Sequence, residues 1–383
     1  MKIAFITPEY PHESLGHSGG IGTSIKHLAM ALVKQKHKVS VLVYGQKEDG
    51  FFKDGDITIY KIKNPKIKGL SWFLAKKKIE KLANTLHSEN KIDIIEAPDW
   101  TGISSFINPT CPLVLRLHGS DSYFCHLDNR KVKTINKYHE KKAFKNADGI
   151  ISVSKYTAQL TNTLFGLNRN FKVIHNGINL KLFSPQENTS TEKTILYFGT
   201  LIRKKGLLEL PYIFNLVHEK HPKVKLVLVG KDSPDITTGN PSTWQLMKYL
   251  FTKTSIKQVD YKGAVDYSKM QNLIKKANVC VFPTFAEALP VSWIEAMAME
   301  KAVVASNIGW AKEVINDKKE GFLVHPTEHN IFANRILELL ENETLSQQFG
   351  IAARKKVETT FSNDLVAMQS VEFYSKTIKE KSK

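Results

Sequence analysis

Val279-Cys280-Val281-Phe282-Pro283-Thr284-Phe285-Ala286-Glu287-Ala288-Leu289-Pro290-Val291-Ser292-Trp293-Ile294-Glu295 is the stretch on which the reading of this chain turns. Residues 280–282 form an apolar run of strand length, 284–289 a loop at its carboxyl end, and Pro290 opens a helix over 291–299. Such an order aims the helix N-terminus past the ends of the strands. Its unpaired backbone N–H groups and partial positive charge suit phosphate or an electron-rich oxygen. Glu287 and Glu295 bracket that end, two carboxylates able to accept hydrogen bonds from hydroxyls. The carboxylate pair of a glycosidase fits less well: eight residues of continuous helix rise about 12 Å, whereas hydrolytic pairs stand roughly 5 to 9.5 Å apart. Two separate duties on one ligand follow.

The rest of the chain repeats the strand, loop, helix order. In the first half, residues 3–6, 39–43, 57–60, 92–96, 113–117, 149–153 and 172–174 read as strands, and in the second half 194–198, 225–229, 278–282, 302–305 and 322–324. Between them helical periods recur, as in Ile21, Ile25, Leu28, Ala29, Leu32 and Val33 after a loop containing Gly19, Gly20 and Gly22. Strands alternating with helices predict an α/β fold with parallel sheets whose ligands bind at the strand carboxyl ends. His118 and Asp121, just after the run 113–117, fall on that side. With 383 residues the chain exceeds one core. The polar stretch 176–192, with Pro185, makes a hinge between two domains. No repeat or low-complexity tract is present.

Three cysteines, Cys111, Cys125 and Cys280, have no metal-like spacing and point to a reducing compartment rather than a disulfide frame. The apolar start is too short for a signal peptide, and no run approaches 18 apolar residues, so a cytoplasmic location is expected. The net charge is +18, and residues 1–180 hold 27 Lys and Arg against 15 Asp and Glu. Much of this excess lies in 61–81, where lysines including Lys76, Lys77 and Lys78 flank Leu70-Ser71-Trp72-Phe73-Leu74. Basic residues around apolar ones suit the inner face of an anionic membrane, while a solvated lysine face over a core-facing helix explains them equally well. Nucleic acid is disfavoured, since the segment has no arginine and no reader motif.

Taken together, these motifs resemble the retaining glycosyltransferases of family 4. The spacing Glu287 to Glu295 is similar to that family's E-x(7)-E motif, His17-Ser18-Gly19-Gly20-Ile21-Gly22 to its glycine loop, and Leu117-His118-Gly119-Ser120-Asp121 to its central histidine motif. His175-Asn176-Gly177-Ile178-Asn179 and Gly199-Thr200-Leu201-Ile202-Arg203-Lys204-Lys205-Gly206 resemble the element before the second domain and the basic phosphate-binding segment. Ala302-Val303-Val304-Ala305-Ser306 and Glu320-Gly321-Phe322-Leu323-Val324 fall where the last core strands would.

The resemblance implies a GT-B fold of two facing Rossmann-like domains. Residues 1–178 would bind the acceptor and 179–362 the nucleotide sugar, with 363–383 a helix crossing back through an apolar stripe of Leu365, Met368, Val371 and Phe373. It implies transfer of a glycosyl group from a nucleoside diphosphate sugar to the hydroxyl of a sugar or glycolipid acceptor, in cell-surface polysaccharide or glycolipid synthesis. His118 and Glu287 would contact the transferred sugar, Glu295 the ribose, and Arg203, Lys205, Gly19 and Gly20 the diphosphate. Asp121, Asn176, Ala288, Leu289 and Pro290 would complete substrate binding; proline has no N–H to offer.

Two departures stand out. Thr200 occupies the position where the family commonly has arginine, leaving Arg203 or Lys204 to take the role, and Pro290 stands where many relatives have glycine. No cofactor and no metal are implied, because the cations would stabilise the leaving diphosphate and no Asp-x-Asp motif stands in the expected place. A nicotinamide enzyme is disfavoured, since Ile25 and Val43-Tyr44-Gly45 stand where its fingerprint needs a glycine and an acid. A phosphorylase would need a cofactor-bearing lysine and far greater length. A nucleotide-sugar epimerase of the same architecture is the alternative, with a basic nucleic-acid binder more remote.

Overall fold

The computed structural model describes the chain apart from His17, Lys66, Lys68, Gly69, residues 187–191 and Lys383. The first residue of the glycine loop, three residues of the basic segment and part of the expected hinge therefore lie outside the described residues. Two compact units emerge, one of Met1–Gly177 with Ser362–Lys383, the other of Ile178–Phe361.

The first unit is built on β1 (Lys2–Thr7), β2 (Lys38–Gln46), β3 (Gly50–Asp54), β4 (Ile57–Lys63), β5 (Ile94–Pro98), β6 (Leu113–Leu117), β7 (Gly149–Ser152) and β8 (Lys172–Val173). Their order is β3-β4-β2-β1-β5-β6-β7-β8. All pairings are parallel except β3 with β4. The reading of the sequence missed β3, Gly-Phe-Phe-Lys-Asp, which is an edge hairpin arm with Phe51 75% exposed. At the end of the sheet β3 is exposed or half-buried along its whole length, so it carries little hydrophobic pattern. Central strands such as β5 and β6 are buried on both faces and read as mostly apolar runs, each broken by one charged residue, Glu96 and Arg116.

The second unit holds β9 (Thr194–Phe198), β10 (Lys225–Val229), β11 (Val259–Tyr261), β12 (Val279–Phe282), β13 (Ala302–Ser306) and β14 (Phe322–Val324), all parallel in the order β11-β10-β9-β12-β13-β14. The three-residue edge strand β11 was also unmarked in the sequence. Helix Val291–Ala298 follows β12 as expected. Pro290 sits one position earlier than anticipated, at the N-cap with φ −77° and ψ 101°.

The C-terminal helix Asn363–Lys381 returns to the first unit and packs beside the helix Gly20–Lys34. Its inward stripe differs in part from the one expected. Val371 and Phe373 pack partly buried against the core as expected, Val366, Ala367, Ser370, Tyr374 and Thr377 are fully buried, and Met368 is 56% exposed. The reason is polar. Arg116 on β6 donates to Glu96 on β5 at 2.7 Å and to Ser370 Oγ at 3.1 Å, and Tyr374 donates to the second oxygen of Glu96 at 2.6 Å. A hydrophobic count passes over Ser370 and Tyr374, yet they satisfy an ion pair enclosed in the core.

A second correction concerns the basic segment. Lys76 is buried, its Nζ donating to Gly102 O at 3.1 Å and Ser105 Oγ at 2.6 Å beside the His139 ring. Burial and the nearby Lys142 charge push its amine down to about 8. Lys77 pairs with Glu80 and Lys78 with Asp49. Lys76 therefore belongs to the packing of the helix Ser71–Ser88 and not to a basic surface.

Removing one member of the enclosed pair should be costly. Glu96→Ala leaves Arg116 buried without its counter-charge and should cost about 3–5 kcal/mol, against about 1–3 kcal/mol for Tyr374→Phe. Both would be read as shifts of the urea midpoint.

Candidate functional site

In the second unit the site begins with a close backbone approach. Gly206, at φ +72°, ends the turn Arg203–Lys205, and a β-carbon there would overlap the carbonyl oxygen of Pro283. Only glycine allows this contact. The N–H groups of Phe285 and Ala286 then donate to Lys204 O at 2.9 and 3.1 Å. The turn after β9 and the loop after β12 are thus zipped together, and Lys205 Nζ lands 2.8 Å from Glu287 Oε1.

Glu295 lies in the second turn of Val291–Ala298 and is buried. Tyr267 donates to its Oε1 at 2.6 Å. Burial pushes the carboxyl up to about 7, opposed by the Tyr267 hydrogen bond and by the charge of Lys205. Lys205 therefore acts on both acids, by contact on Glu287 and through space on Glu295. Ala288 and Leu289 are buried in the loop leading to the helix.

Arg203 goes elsewhere. Its Nε and Nη2 clasp Asp235 at 2.7 and 2.8 Å, and Asp235 also accepts from the N–H and hydroxyl of Thr238. The pair holds the Asp235 carboxyl well below the usual range. Arg203 is thus engaged on one edge of its fork while its side chain stays 40% exposed. Tyr267 and Asp235 escaped the reading of the sequence because their partners lie 28 and 32 residues away.

In the first unit two buried carboxylates hold the turn 118–122. Asp99, just after β5, accepts the His118 N–H at 2.9 Å, and Glu140 accepts the Asp121 and Ser122 N–H groups at 2.9 and 3.0 Å. Asp99 is pushed up to about 7, chiefly by burial. Its Oδ2 meets no partner among the described residues. Desolvation and the Arg116 charge push the His118 imidazole down to about 3, so it is neutral at physiological pH and can donate or accept but not carry charge. The Asp121 carboxylate accepts from Asn136 at 2.9 Å.

A small pocket of this unit is lined by His118, Asn176 and Ser24, and Ser24 Oγ donates to Asn176 Oδ1 at 2.9 Å. Gly19 caps the helix Gly20–Lys34. There the sequence reading overlooked Glu9, whose carboxylate accepts the Gly22 N–H at 3.0 Å and leaves a β-carbon at Gly19 only 3.2 Å away. An acid thus already caps this helix. Gly20 has open space around it.

The comparisons agree with this architecture. Residues 18–182 match the model described as Glycosyltransferase Family 4, and residues 180–356 match Glycosyl transferases group 1. The chain belongs to the group 1 glycosyltransferases of the family 4 type. An uncharacterized glycosyltransferase of Methanocaldococcus jannaschii is 26% identical over 98% of both chains. A capsular polysaccharide biosynthesis glycosyltransferase, CapM of Staphylococcus aureus, is 28% identical over 54% of each. The crystal structure of HepE from Anabaena in complex with UDP-glucose superposes with a TM-score of 0.72 at 20% identity, over 98% of this chain and all of that one. The two parallel-sheet units are those of a GT-B glycosyltransferase.

The raised pKa of Glu295 makes a pH prediction for this glycosyltransferase. Its folded value, about 7, lies above the ordinary 4.5. The folded state thus binds the proton more tightly, and this contribution to stability, full below pH 4.5, is lost as pH rises toward 7. Glu295→Gln removes the titration. Relative to the wild type it should gain about 1–3 kcal/mol between pH 5 and pH 8, read from urea midpoints. An unchanged difference would place the ionisation elsewhere.

Proposed function

We propose that this glycosyltransferase moves a hexosyl group from a nucleoside diphosphate sugar to an acceptor hydroxyl with retention at the anomeric carbon. The observation that carries the reading is Lys205, held 2.8 Å from Glu287 and close enough to act electrostatically on Glu295. A leaving diphosphate needs a fixed cation, and a sugar and a ribose need acceptors for their hydroxyls. Lys205 supplies the first. Glu287 takes the transferred sugar and Glu295 the ribose, while Arg203 reaches the phosphates with the edge of its guanidinium that Asp235 leaves uncovered. Ala288, Leu289 and Pro290 shape the approach to the helix end.

The neutral imidazole of His118, with Asp121 and Asn176 in the same unit, offers hydrogen bonds to sugar hydroxyls, and Gly20 leaves open space beside the backbone, while a phosphate approaching Gly19 would have to displace the Glu9 carboxylate. The first unit takes the acceptor and the second the nucleotide sugar. Since no carboxylate is assigned as a nucleophile, the leaving phosphate oxygen takes the acceptor proton on the same face. The transfer runs without metal or cofactor.

UDP-glucose in HepE supports a nucleotide-sugar donor, and the likeness to CapM supports a role in polysaccharide or glycolipid synthesis on the cytoplasmic side of the membrane. No helix among the described residues is long and apolar enough to cross a bilayer.

A thermal-shift screen of UDP-, GDP- and ADP-sugars should find one that stabilises by about 2.7 kcal/mol at 100 times its dissociation constant. With that donor, Glu287→Gln and Glu295→Gln should each slow transfer at least tenfold while remaining folded, the loss of a charge-assisted hydrogen bond being worth about 1.5–3 kcal/mol. Lys205→Ala should weaken the nucleoside diphosphate more than the nucleoside, and EDTA should leave turnover unchanged. Proton NMR of the product anomer tests retention. Unchanged turnover in both glutamate variants would refute the site.

A further inference from the structure

One corner of the first unit carries an exposed aromatic surface, part of it on a helix that also bears a row of exposed lysines. Trp72 is 45% exposed, Leu70 54%, Ile135 56% and Tyr138 52%. Trp72 and Tyr138 come from two helices but share one base, and Leu70 and Ile135 are their exposed near neighbours in the chain. The Trp72 ring lies 5.7 Å from Phe106 and 4.8 Å from His139, and the Tyr138 ring lies 6.4 Å and 5.4 Å from the same two. Lys142 Nζ stands 3.6 Å from the Phe106 ring centre.

Lys133, Lys137, Lys141 and Lys145 run along the helix Thr134–Asn146 at successive i, i+4 spacing, all exposed. None has an ion pair among the described residues. Like charges at this spacing repel and destabilise an isolated helix. The helix's one acid, Glu140, is buried and turned inward to the Asp121 and Ser122 N–H groups. A stripe of four cations without a counter-charge, beside exposed Trp, Tyr, Ile and Leu, is the make-up of an interfacial helix. Amphipathic rings settle at headgroup level and lysines contact anionic lipid. A nucleic-acid surface would favour arginine forks, and this helix has none.

We propose that Leu70, Trp72, Ile135 and Tyr138, with Lys133, Lys137, Lys141 and Lys145, dock this protein on an anionic lipid bilayer. The contact stands on the surface alone. Only the further step, that the acceptor is an amphiphile held in that bilayer, rests on the sugar-transfer reading. The docking helix is also the one whose Glu140 braces the turn after His118, so lipid contact and acceptor binding would share one element.

The test uses the full chain and vesicles of phosphatidylcholine, with and without phosphatidylglycerol, in a sedimentation assay. The wild type should partition onto the anionic vesicles at low salt and release at high salt. Lys137→Gln, Lys141→Gln and Lys145→Gln together should weaken partitioning by about 10- to 100-fold. Brominated lipid should quench the wild-type fluorescence more than that of Trp72→Phe. The triple variant should keep the wild-type thermal shift with nucleoside diphosphate, which separates the surface from the transfer reading. A wild type that stays in the supernatant with anionic vesicles at low salt overturns the proposal, as does a triple variant that binds like the wild type. Tighter binding to duplex RNA than to vesicles also overturns it and assigns the lysines to nucleic acid.

Discussion

The approach of Gly206 to the Pro283 carbonyl is the constraint on which the second unit's site depends. It lets the backbone of 203–206 come within hydrogen-bonding distance of the loop after β12, and the two N–H···O bonds to Lys204 O then fix the relative height of Lys205 and Glu287. A side chain at 206 would hold the two loops apart. Loops alone are mobile, and a fixed charge acts on a bound group most strongly when its position is set before that group arrives. Here β9 and β12, neighbours in the sheet, anchor both loops.

Carboxylates perform the matching task in the first unit. Asp99, Glu140 and the half-buried Glu9 each accept backbone N–H groups near the ends of strands, and none of them was legible as a site residue. The burial of Asp99 and Glu140 is expensive unless hydrogen bonds compensate. Glu140 has three such bonds, whereas Asp99 keeps one oxygen without a partner among the described residues and is correspondingly hard to ionise. A carboxyl near neutrality beside a neutral imidazole leaves the His118 turn rich in hydrogen-bonding groups and poor in net charge.

Charge on the surface follows a different logic from charge in the sequence. Lys76, Lys77 and Lys78 are consecutive, yet helical geometry turns each to a different neighbour, one of them into the core. The lysines that do form a coherent face are spaced by four along Thr134–Asn146, where the eye meets a mixture of residues but the helix aligns them.

What the sequence by itself determined is the architecture and the family. Continuous apolar strands such as 279–282 and 302–305, alternating with helical periods, require parallel sheets, because both faces of each strand must be covered. The run from Val279 to Glu295 placed a helix end and two acids after a central strand. Tertiary structure alone decided the partners. Tyr267 reaches Glu295, Asp235 takes Arg203, Glu9 caps the glycine-loop helix, and Tyr374 closes on Glu96 from 278 residues away. Periodicity records which face of an element is buried, since hydrophobic burial is non-directional and repeats along the chain. A hydrogen bond or ion pair between distant residues has direction and no period, so it becomes visible only once the sheets have brought its two ends together.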